Sequence, residues 1–414
     1  MSSAPVSAPA STDPAPTAPA SPGTSPYQGG PDIIAIPGPS PVPARVLNAA
    51  HRASPDIYGA PLAQVNLQVM AQLKRLAGTR AHLAPYIGNG HAGWEAASAN
   101  MFDRGDQALV LTSGHFGRSW AEMTEGLGVA VERLDFGNLP PDPARLAERL
   151  ARDPEGRIRA VMVCQTDTAS ATLADIPAIR AAMGDHPALL VVDAIASLGC
   201  APMRMDDWGV DVLIAASQKG LMCPPGTVFV WFSDKAAARG ATGLTSPWWD
   251  WHGRAGSDAL WRFWGGTPPV QQVFALSEAL TMILDEEGLE AVWSRHARLA
   301  RATWAAVDAW SVGGGGVRLS VADPAARAAS VTAVTMPGAD ALRDWATREC
   351  GVTLGVGLGA PDPALALRIA HMGHCNPGVL LGVLGAIEAG MIALDIPHGS
   401  GALEAAAASI ARPA

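Results

Sequence analysis

Lys219 stands where a charged side chain is unexpected, directly after the apolar run Asp211–Ser217 and before the segment GLMCPPG. A lysine partly withdrawn from water there has its ammonium form disfavoured, and its neutral amine is a nucleophile. Such an amine can form a Schiff base with an aldehyde. Asp193 ends another apolar run, ALLVVD, and can hold a proton on an aromatic ring nitrogen. The pair therefore predicts the chemistry of an aromatic aldehyde cofactor.

A glycine-rich turn offers a place for the phosphate of such a cofactor. The stretch IGNGHAGWEAASANMF has the Gly88-x-Gly90-x-x-Gly93 spacing of a dinucleotide-binding turn, which requires a preceding buried strand and a later acid. RAHLAPY before it is a poor strand because Pro85 interrupts it, and the next run, QALVLT, ends without an acid. Gly90 and His91 therefore either cradle a single phosphate at a helix N-terminus or form a simple bend. With the lysine and the acid, the first interpretation predicts pyridoxal 5′-phosphate.

The elements that must position these residues alternate in type from about residue 107. Short runs that are apolar on both faces alternate with amphipathic segments, which predicts an α/β fold with a mostly parallel, doubly wound sheet. Ligands of such sheets bind at the carboxyl ends of the strands, where Asp193 and Lys219 stand. We predict a disordered Ala/Pro/Ser-rich tail (1–30), a large cofactor-binding α/β domain with the N-terminal entry segment (31–289) and a smaller C-terminal α+β domain (290–414).

The composition excludes several classes of partner. The 414 residues carry a net charge of -9, whereas a nucleic-acid-binding protein favours a basic surface. No apolar run approaches the ~18 residues of a membrane span. Five cysteines without a C-x-x-C pair favour a reduced, cytoplasmic protein. The segment HMGHC at 371–375 lacks a trusted metal-binding spacing, so no metal site is predicted.

The sequence also resembles a known family over residues 36 to 408. The motifs PGPSPVP, GNGHAGWEAASAN, VVDAIASLG, GVDVLIAASQKGLMCPPG, GGTPPV, LRIAHMG and IPHGSGALEAA are together similar to those of the class V, fold-type I pyridoxal-phosphate aminotransferases, in the alanine–glyoxylate and serine–glyoxylate group. The resemblance implies a fold-type I transferase with a smaller C-terminal domain. It also implies a homodimer with shared active sites.

The resemblance implies roles for individual residues. Lys219 would bind the cofactor carbon and move the substrate's proton, and Asp193 would pair with the ring nitrogen. Thr267 would reach the phosphate in the neighbouring subunit. The other implied contacts are the phosphate (Gly90, His91, Gln218), the ring face (Phe116), the ring hydroxyl region (Thr168) and the substrate (Arg368 for its carboxylate, and Trp264, where relatives usually carry Tyr).

The implied reaction is a ping-pong amino transfer from a small L-amino acid, serine or alanine, to glyoxylate or a similar 2-oxo acid. The segments QTDTASA at 165–171 and YGAP at 58–61 depart from the family pattern and leave the donor open. Alternatives are an aspartate–glyoxylate or pyridoxamine–pyruvate transaminase, or a lyase or desulfurase on the same cofactor. The non-enzymatic alternative is a cofactor-binding or scaffold protein that has lost turnover.

Overall fold

The computed structural model describes residues 29–240, 243–257 and 259–412. Most of the tail predicted for 1–30 therefore lies outside the described residues. The strands are β1 (Ile33–Ala35), β2 (His82–Gly88), β3 (Gln107–Thr112), β4 (Ala130–Asp135), β5 (Ile158–Cys164), β6 (Thr166–Asp167), β7 (Thr172–Leu173), β8 (Leu189–Asp193), β9 (Val212–Ala216), β10 (Gly226–Phe232), β11 (Arg318–Leu319), β12 (Val331–Thr335), β13 (Val352–Val356) and β14 (Ala366–Ala370).

The helices alternate with these strands in the first part of the chain. They are α1 (Ala44–Ala50), α2 (Ala60–Ala77), α3 (Gly90–Met101), α4 (His115–Gly126), α5 (Pro143–Ala151), α6 (Ile176–Met183), α7 (Asp234–Ala237), α8 (Trp251–Ala255), α9 (Leu260–Phe263), α10 (Val270–Thr281), α11 (Leu289–Ser311), α12 (Ala339–Cys350), α13 (Pro377–Ala393) and α14 (Ala402–Ala411). A π-helical segment, Met282–Glu287, continues α10.

The larger sheet has seven strands in the order β2-β10-β9-β8-β5-β3-β4. The last five of these run parallel to one another, and β10 is antiparallel to both of its neighbours. Alternate residues of β8 enter different cores: Leu190 and Val192 pack on one face, and Leu189 and Val191 on the other. Helices cover both faces, which is why every residue of β8 and β9 is buried. The predicted mostly parallel, doubly wound sheet is confirmed.

One local prediction is wrong. Residues 82–88, judged a poor strand because of Pro85, form β2, in which Pro85 pairs with Phe229 of β10. The strand lies at the edge of the sheet and has a single neighbour. Half of the N–H groups of an edge strand point away from the ladder, so a proline without an N–H is tolerated there.

The smaller sheet has five strands in the order β1-β13-β14-β12-β11, and α11 to α14 pack with it in a second core. Its edge strand β1 comes from the N-terminal entry segment, where Ile33–Ala35 pair in parallel with Val352–Leu354. The predicted boundaries place that segment in the large domain, whereas its strand pairs with the C-terminal sheet. The chain then crosses to the large sheet through residues 36–40, which we call the crossing segment.

Candidate active site

A cavity of about 320 Å³ lies at the carboxyl ends of β5, β8 and β9. Its walls come from the crossing segment, α3, α4 and the loops after these strands, and comprise Gly38, Pro39, Asn89, Gly90, His91, Trp94, Phe116, Thr166, Thr168, Asp193, Ile195, Ala196, Gln218, Lys219 and Pro225. Seven of the predicted site residues line it together (Gly90, His91, Phe116, Thr168, Asp193, Gln218, Lys219). This is the position expected for a ligand of an open α/β sheet.

Lys219 is half-buried in the turn after β9, and its Nζ donates to the carbonyl oxygen of Pro37. Burial, followed by the positive charge of Arg368, lowers the pKa of the amine to about 8, although Asp193 opposes the shift. The crossing segment also holds the lysine's main chain, because Ser40 Oγ donates to the Lys219 carbonyl oxygen at 2.7 Å. The amine is therefore fixed in place, and it gives up its proton more readily than an ordinary lysine, although most of it is still protonated at pH 7.

Gly38 of the crossing segment makes this approach feasible. A Cβ at this position would lie 2.6 Å from Lys219 Cε and 2.7 Å from Cδ, and the residue has a φ of +110°. Only glycine combines that backbone conformation with room for the lysine side chain.

Asp193, at the end of β8, points its carboxylate into a ring of donors. Oδ1 accepts from the Ile195 N–H at 2.7 Å, and Oδ2 accepts from Trp94 Nε1 at 3.0 Å and from Cys164 Sγ at 3.6 Å. Burial raises the pKa of Asp193 to about 6, and the three donors counteract the shift. The carboxylate is thus ionised at neutral pH and can face a protonated ring nitrogen.

The helix α3 begins at the cavity with Gly90. Asn89 caps it, since its side chain accepts from the His91 N–H at 3.1 Å. A Cβ on Gly90 would lie 2.6 Å from Ile195 Cδ1, so a larger residue would require the Ile195 side chain to move. Burial and the neighbouring His115 lower the pKa of His91, which favours a neutral imidazole. A helix N-terminus attracts an anion with or without that ring's charge.

Phe116 lies in the first turn of α4, which a buried carboxylate holds in place. Asp167 Oδ2 accepts from the Gly117 N–H at 3.0 Å, and Oδ1 accepts from the Ala169 N–H at 3.0 Å. Burial raises the pKa of Asp167, and its backbone donors oppose that rise. The Phe116 ring meets Trp94 edge-on at 6.4 Å between ring centroids.

Arg368 reaches the cavity region from β14 of the smaller sheet. Its Nε donates to the Val356 carbonyl oxygen at 2.7 Å and its Nη1 to the Thr168 carbonyl oxygen at 2.9 Å. Burial lowers the pKa of Arg368 to about 10, so the guanidinium stays charged at neutral pH. Its positive charge is also one cause of the lowered pKa of Lys219.

Besides Arg368, which contacts the wall residue Thr168 but does not itself line the cavity, two predicted residues lie outside it. Thr267 is exposed and is absent from the walls. Trp264 is fully buried in the hydrophobic core, and its Nε1 donates to Asn66 Oδ1 at 2.9 Å. The structure thus places Trp264 in the core and outside the walls of the cavity, and its substrate role stays a prediction.

Sequence reasoning assigned no role to Trp94 or to the crossing segment around Gly38. Trp94 could have been found, because it lies four residues after Gly90 on a helix and hence on the same face. The segment PGPSPVP carried part of the resemblance, but nothing local shows that it reaches Lys219. None of the described helices has the length and apolar character needed to span a membrane. The described residues also include no cluster of His, Cys, Asp or Glu that could hold a metal ion.

Comparison with known proteins identifies the family. The aminotransferase class-V model matches residues 36–357. Serine–glyoxylate aminotransferase of Methylorubrum extorquens is 34% identical over 390 residues, 91% of this chain and 95% of that protein. L-aspartate–glyoxylate aminotransferase of Paracoccus denitrificans is 34% identical over 90% of this chain and 94% of its own length. The solved structure of pyridoxamine–pyruvate aminotransferase from Mesorhizobium loti is 27% identical with a TM-score of 0.83, covering 93% of this chain and 98% of that one. The predicted fold and family are confirmed, and this chain belongs to the class-V aminotransferase family.

Proposed function

We propose that this protein is a pyridoxal-5′-phosphate-dependent transaminase that moves the amino group of a small L-amino acid, serine or alanine, to glyoxylate or a similar 2-oxo acid. The observation that carries the proposal is that a half-buried lysine amine with a lowered pKa and a buried carboxylate line one cavity at a helix N-terminus. The glyoxylate-using relatives support the acceptor.

The residues present fit this cofactor. Lys219 would hold it at its aldehyde carbon, Asp193 at its ring nitrogen, Phe116 at one ring face, and the N-terminus of α3 with Gln218 at its phosphate. Of the Gln218 side chain, it is the amide NH2 that can donate to a phosphate oxygen, while the buried Oε1, an acceptor without a partner among the described residues, needs a donor. When bound, the cofactor supplies an electrophilic carbon and a ring that accepts electrons.

The chain's own groups then perform the proton transfers. With a pKa of about 8, the Nζ of Lys219 can take a proton from the substrate's Cα and return it, which is general acid–base catalysis near its optimum. The Asp193 carboxylate keeps the ring nitrogen protonated, since an opposite charge favours the ionised form. The planar guanidinium of Arg368 suits a substrate carboxylate. Its Nε and Nη1 are already fixed by two carbonyl oxygens, which holds it in one orientation.

We further propose a cytoplasmic homodimer with shared active sites. The exposed position of Thr267 outside its own cavity supports a contact with a neighbouring subunit. Apolar side chains exposed on nearby elements, among them Leu47, Leu67 and Trp261, support a subunit interface. The five cysteines without a C-x-x-C pair support the cytoplasmic location. Sedimentation of the purified protein tests the assembly, and a monomer at micromolar concentration would refute it.

The sequence has three lysines, Lys74, Lys219 and Lys235, so the site of cofactor attachment can be tested directly. Purified protein mixed with pyridoxal 5′-phosphate should gain visible absorbance. Borohydride reduction followed by peptide mass mapping should place the cofactor on Lys219, with the other two lysines as internal controls. Lys219→Ala should lose both signals. Labelling spread over all three lysines would contradict the proposal.

The substrates need a second test on the same protein. Bleaching of the visible band by each of the twenty amino acids should identify the donor, with serine or alanine fastest. Glyoxylate should then restore the band. Restoration by pyruvate alone, together with bleaching by free pyridoxamine, would instead favour the pyridoxamine–pyruvate reaction of the structural relative. Cofactor binding at Lys219 without bleaching by any amine would favour a binding protein without turnover.

A further inference from the structure

Trp94 lies where three parts of the candidate site meet, although no role was assigned to it from the sequence. It is on α3, one turn after Gly90, and is 2% exposed. Its indole Nε1 donates to Oδ2 of Asp193 at 3.0 Å. Its ring stacks on Trp120 at 5.8 Å with an interplanar angle of 15°, and it meets Phe116 edge-on. The residue thus links the phosphate end of the cavity, the acid and the aromatic wall.

The hydrogen bond from Trp94 Nε1 is the stronger of the two that Oδ2 of Asp193 accepts. The second donor is the thiol of Cys164 at 3.6 Å, and a thiol is a weak donor. Oδ1 is held separately by the Ile195 N–H. Without the indole, Oδ2 of this buried carboxylate would keep only the thiol as a donor. Protonation of the carboxylate would then be favoured, because it removes the buried charge.

We infer that Trp94 is a positioning residue whose indole N–H holds Asp193 ionised and oriented toward the cofactor's ring nitrogen. This inference rests on the proposed function, because it assigns the carboxylate to that nitrogen. A carboxyl that carried its own proton could not keep the ring nitrogen charged, and the electron-accepting power of the ring would fall.

The groups around Asp193 favour this assignment. Cys164 on β5 is neutral, because burial raises the pKa of its thiol well above the ordinary value. Asp167 on β6 is a second buried acid that opposes ionisation of Asp193. Lys219 after β9 is the cation that interacts with it across the cavity. The indole shares the stabilisation of the ionised carboxylate with the Ile195 N–H and the weaker Cys164 thiol, and it is the side-chain N–H among these direct donors.

The test compares Trp94→Phe with a matched control, Trp120→Phe. The two indoles stack on each other, but the Nε1 of Trp120 is buried without a hydrogen-bond partner among the described residues. Each variant keeps an aromatic ring and loses one N–H. Only Trp94→Phe removes a hydrogen bond from the carboxylate.

The measurement is the equilibrium binding of two cofactors at neutral pH: pyridoxal 5′-phosphate, and its analogue with carbon in place of the ring nitrogen. Loss of a hydrogen bond to a charged group weakens the ionised state about 10-fold or more. Trp94→Phe should therefore weaken binding of the natural cofactor by about 10-fold and leave binding of the analogue unchanged. Trp120→Phe should affect both equally and slightly.

The outcomes separate the inference from the proposed function. If the unaltered protein fails to bind pyridoxal 5′-phosphate at Lys219, the proposed function falls. If it binds, but Trp94→Phe weakens both cofactors equally, Trp94 only supports packing and the inference is overturned. Should Trp94→Phe not fold, as judged by thermal unfolding, Trp94→Leu also lacks the donor and takes its place in the same comparison.

Discussion

Replacing Lys219 with methionine should stabilise the cofactor-free protein even though it removes the proposed catalytic amine. Folding buries this amine and lowers its pKa from 10.5 to about 8. At pH 7 the folded protein therefore holds a protonated amine in surroundings that disfavour it. Methionine is of similar length and carries no charge, so it fills the same space without that cost.

The magnitude follows from the two pKa values. A tenfold change in proton affinity corresponds to about 1.4 kcal/mol, so the shift costs the folded state about 3 kcal/mol at pH 7. Methionine loses the hydrogen bond to the Pro37 carbonyl oxygen, worth about 1 kcal/mol net. The variant should therefore be more stable by about 2 kcal/mol at pH 7.

The stability difference between the two proteins should depend on pH. Because the folded pKa lies below the unfolded one, the unfolded chain binds more protons between about pH 8 and 10.5. The stability of the unaltered protein therefore rises with pH in that window relative to the variant, and the variant's advantage should vanish near pH 10.

Urea unfolding of the cofactor-free proteins at pH 7 and pH 10 measures this difference. Lys74→Met, at a lysine on α2 outside the cavity, is the control and should change stability by about 0.5 kcal/mol or less at either pH. A Lys219→Met protein that is no more stable at pH 7, or whose advantage is the same at both pH values, would refute the reasoning.

Three further substitutions test other parts of the site. Gly38→Ala should lower cofactor affinity more than 10-fold while costing about 1–3 kcal/mol of stability, because its Cβ displaces the Lys219 side chain and its φ of +110° suits glycine; unchanged affinity in a cofactor titration would contradict this. Asp167→Ala should destabilise the protein by about 2–3 kcal/mol in urea, because it orphans the Gly117 N–H, and Asp167→Asn should recover most of that loss; equal losses would show that the hydrogen bonds are unimportant. Arg368→Lys should raise KM for the amino donor more than kcat falls, since an ammonium cannot grip a carboxylate with two parallel hydrogen bonds; an unchanged KM would remove Arg368 from the substrate site.

The central strands and the lysine–acid pair could be predicted from the sequence for one physical reason. A strand covered by helices on both sides must be apolar on both faces, so ALLVVD and DVLIAAS are recognisable without neighbours. The carboxyl ends of parallel strands meet at one edge, so Asp193 and Lys219 had to approach each other. These inferences need only local pattern and the geometry of the sheet.

The remaining features depend on pairing between distant parts of the chain. Pro85 is tolerated because β2 lies at a sheet edge, and its flanking residues do not encode that position. Strand β1 pairs with β13 more than three hundred residues later. Trp264 occupies the position of a presumed substrate contact in the motif, yet its neighbour is Asn66 of α2. In each case the decisive partner lies outside the window in which a pattern can be recognised.

The reactivity of Lys219 illustrates why the motif alone was insufficient. The large sheet supplies the turn that buries the lysine and the acid that faces it, but both restraints on its amine come with the smaller sheet. The Pro37 carbonyl oxygen that accepts from Nζ follows directly on β1, and Arg368, the charge that most lowers the amine's pKa, lies on β14. A lysine in the same turn without these two strands would be less fixed and more fully protonated. The predicted large domain, residues 31–289, would therefore carry the motif and Pro37 but lack Arg368, so part of the pKa shift of Lys219 depends on the C-terminal domain.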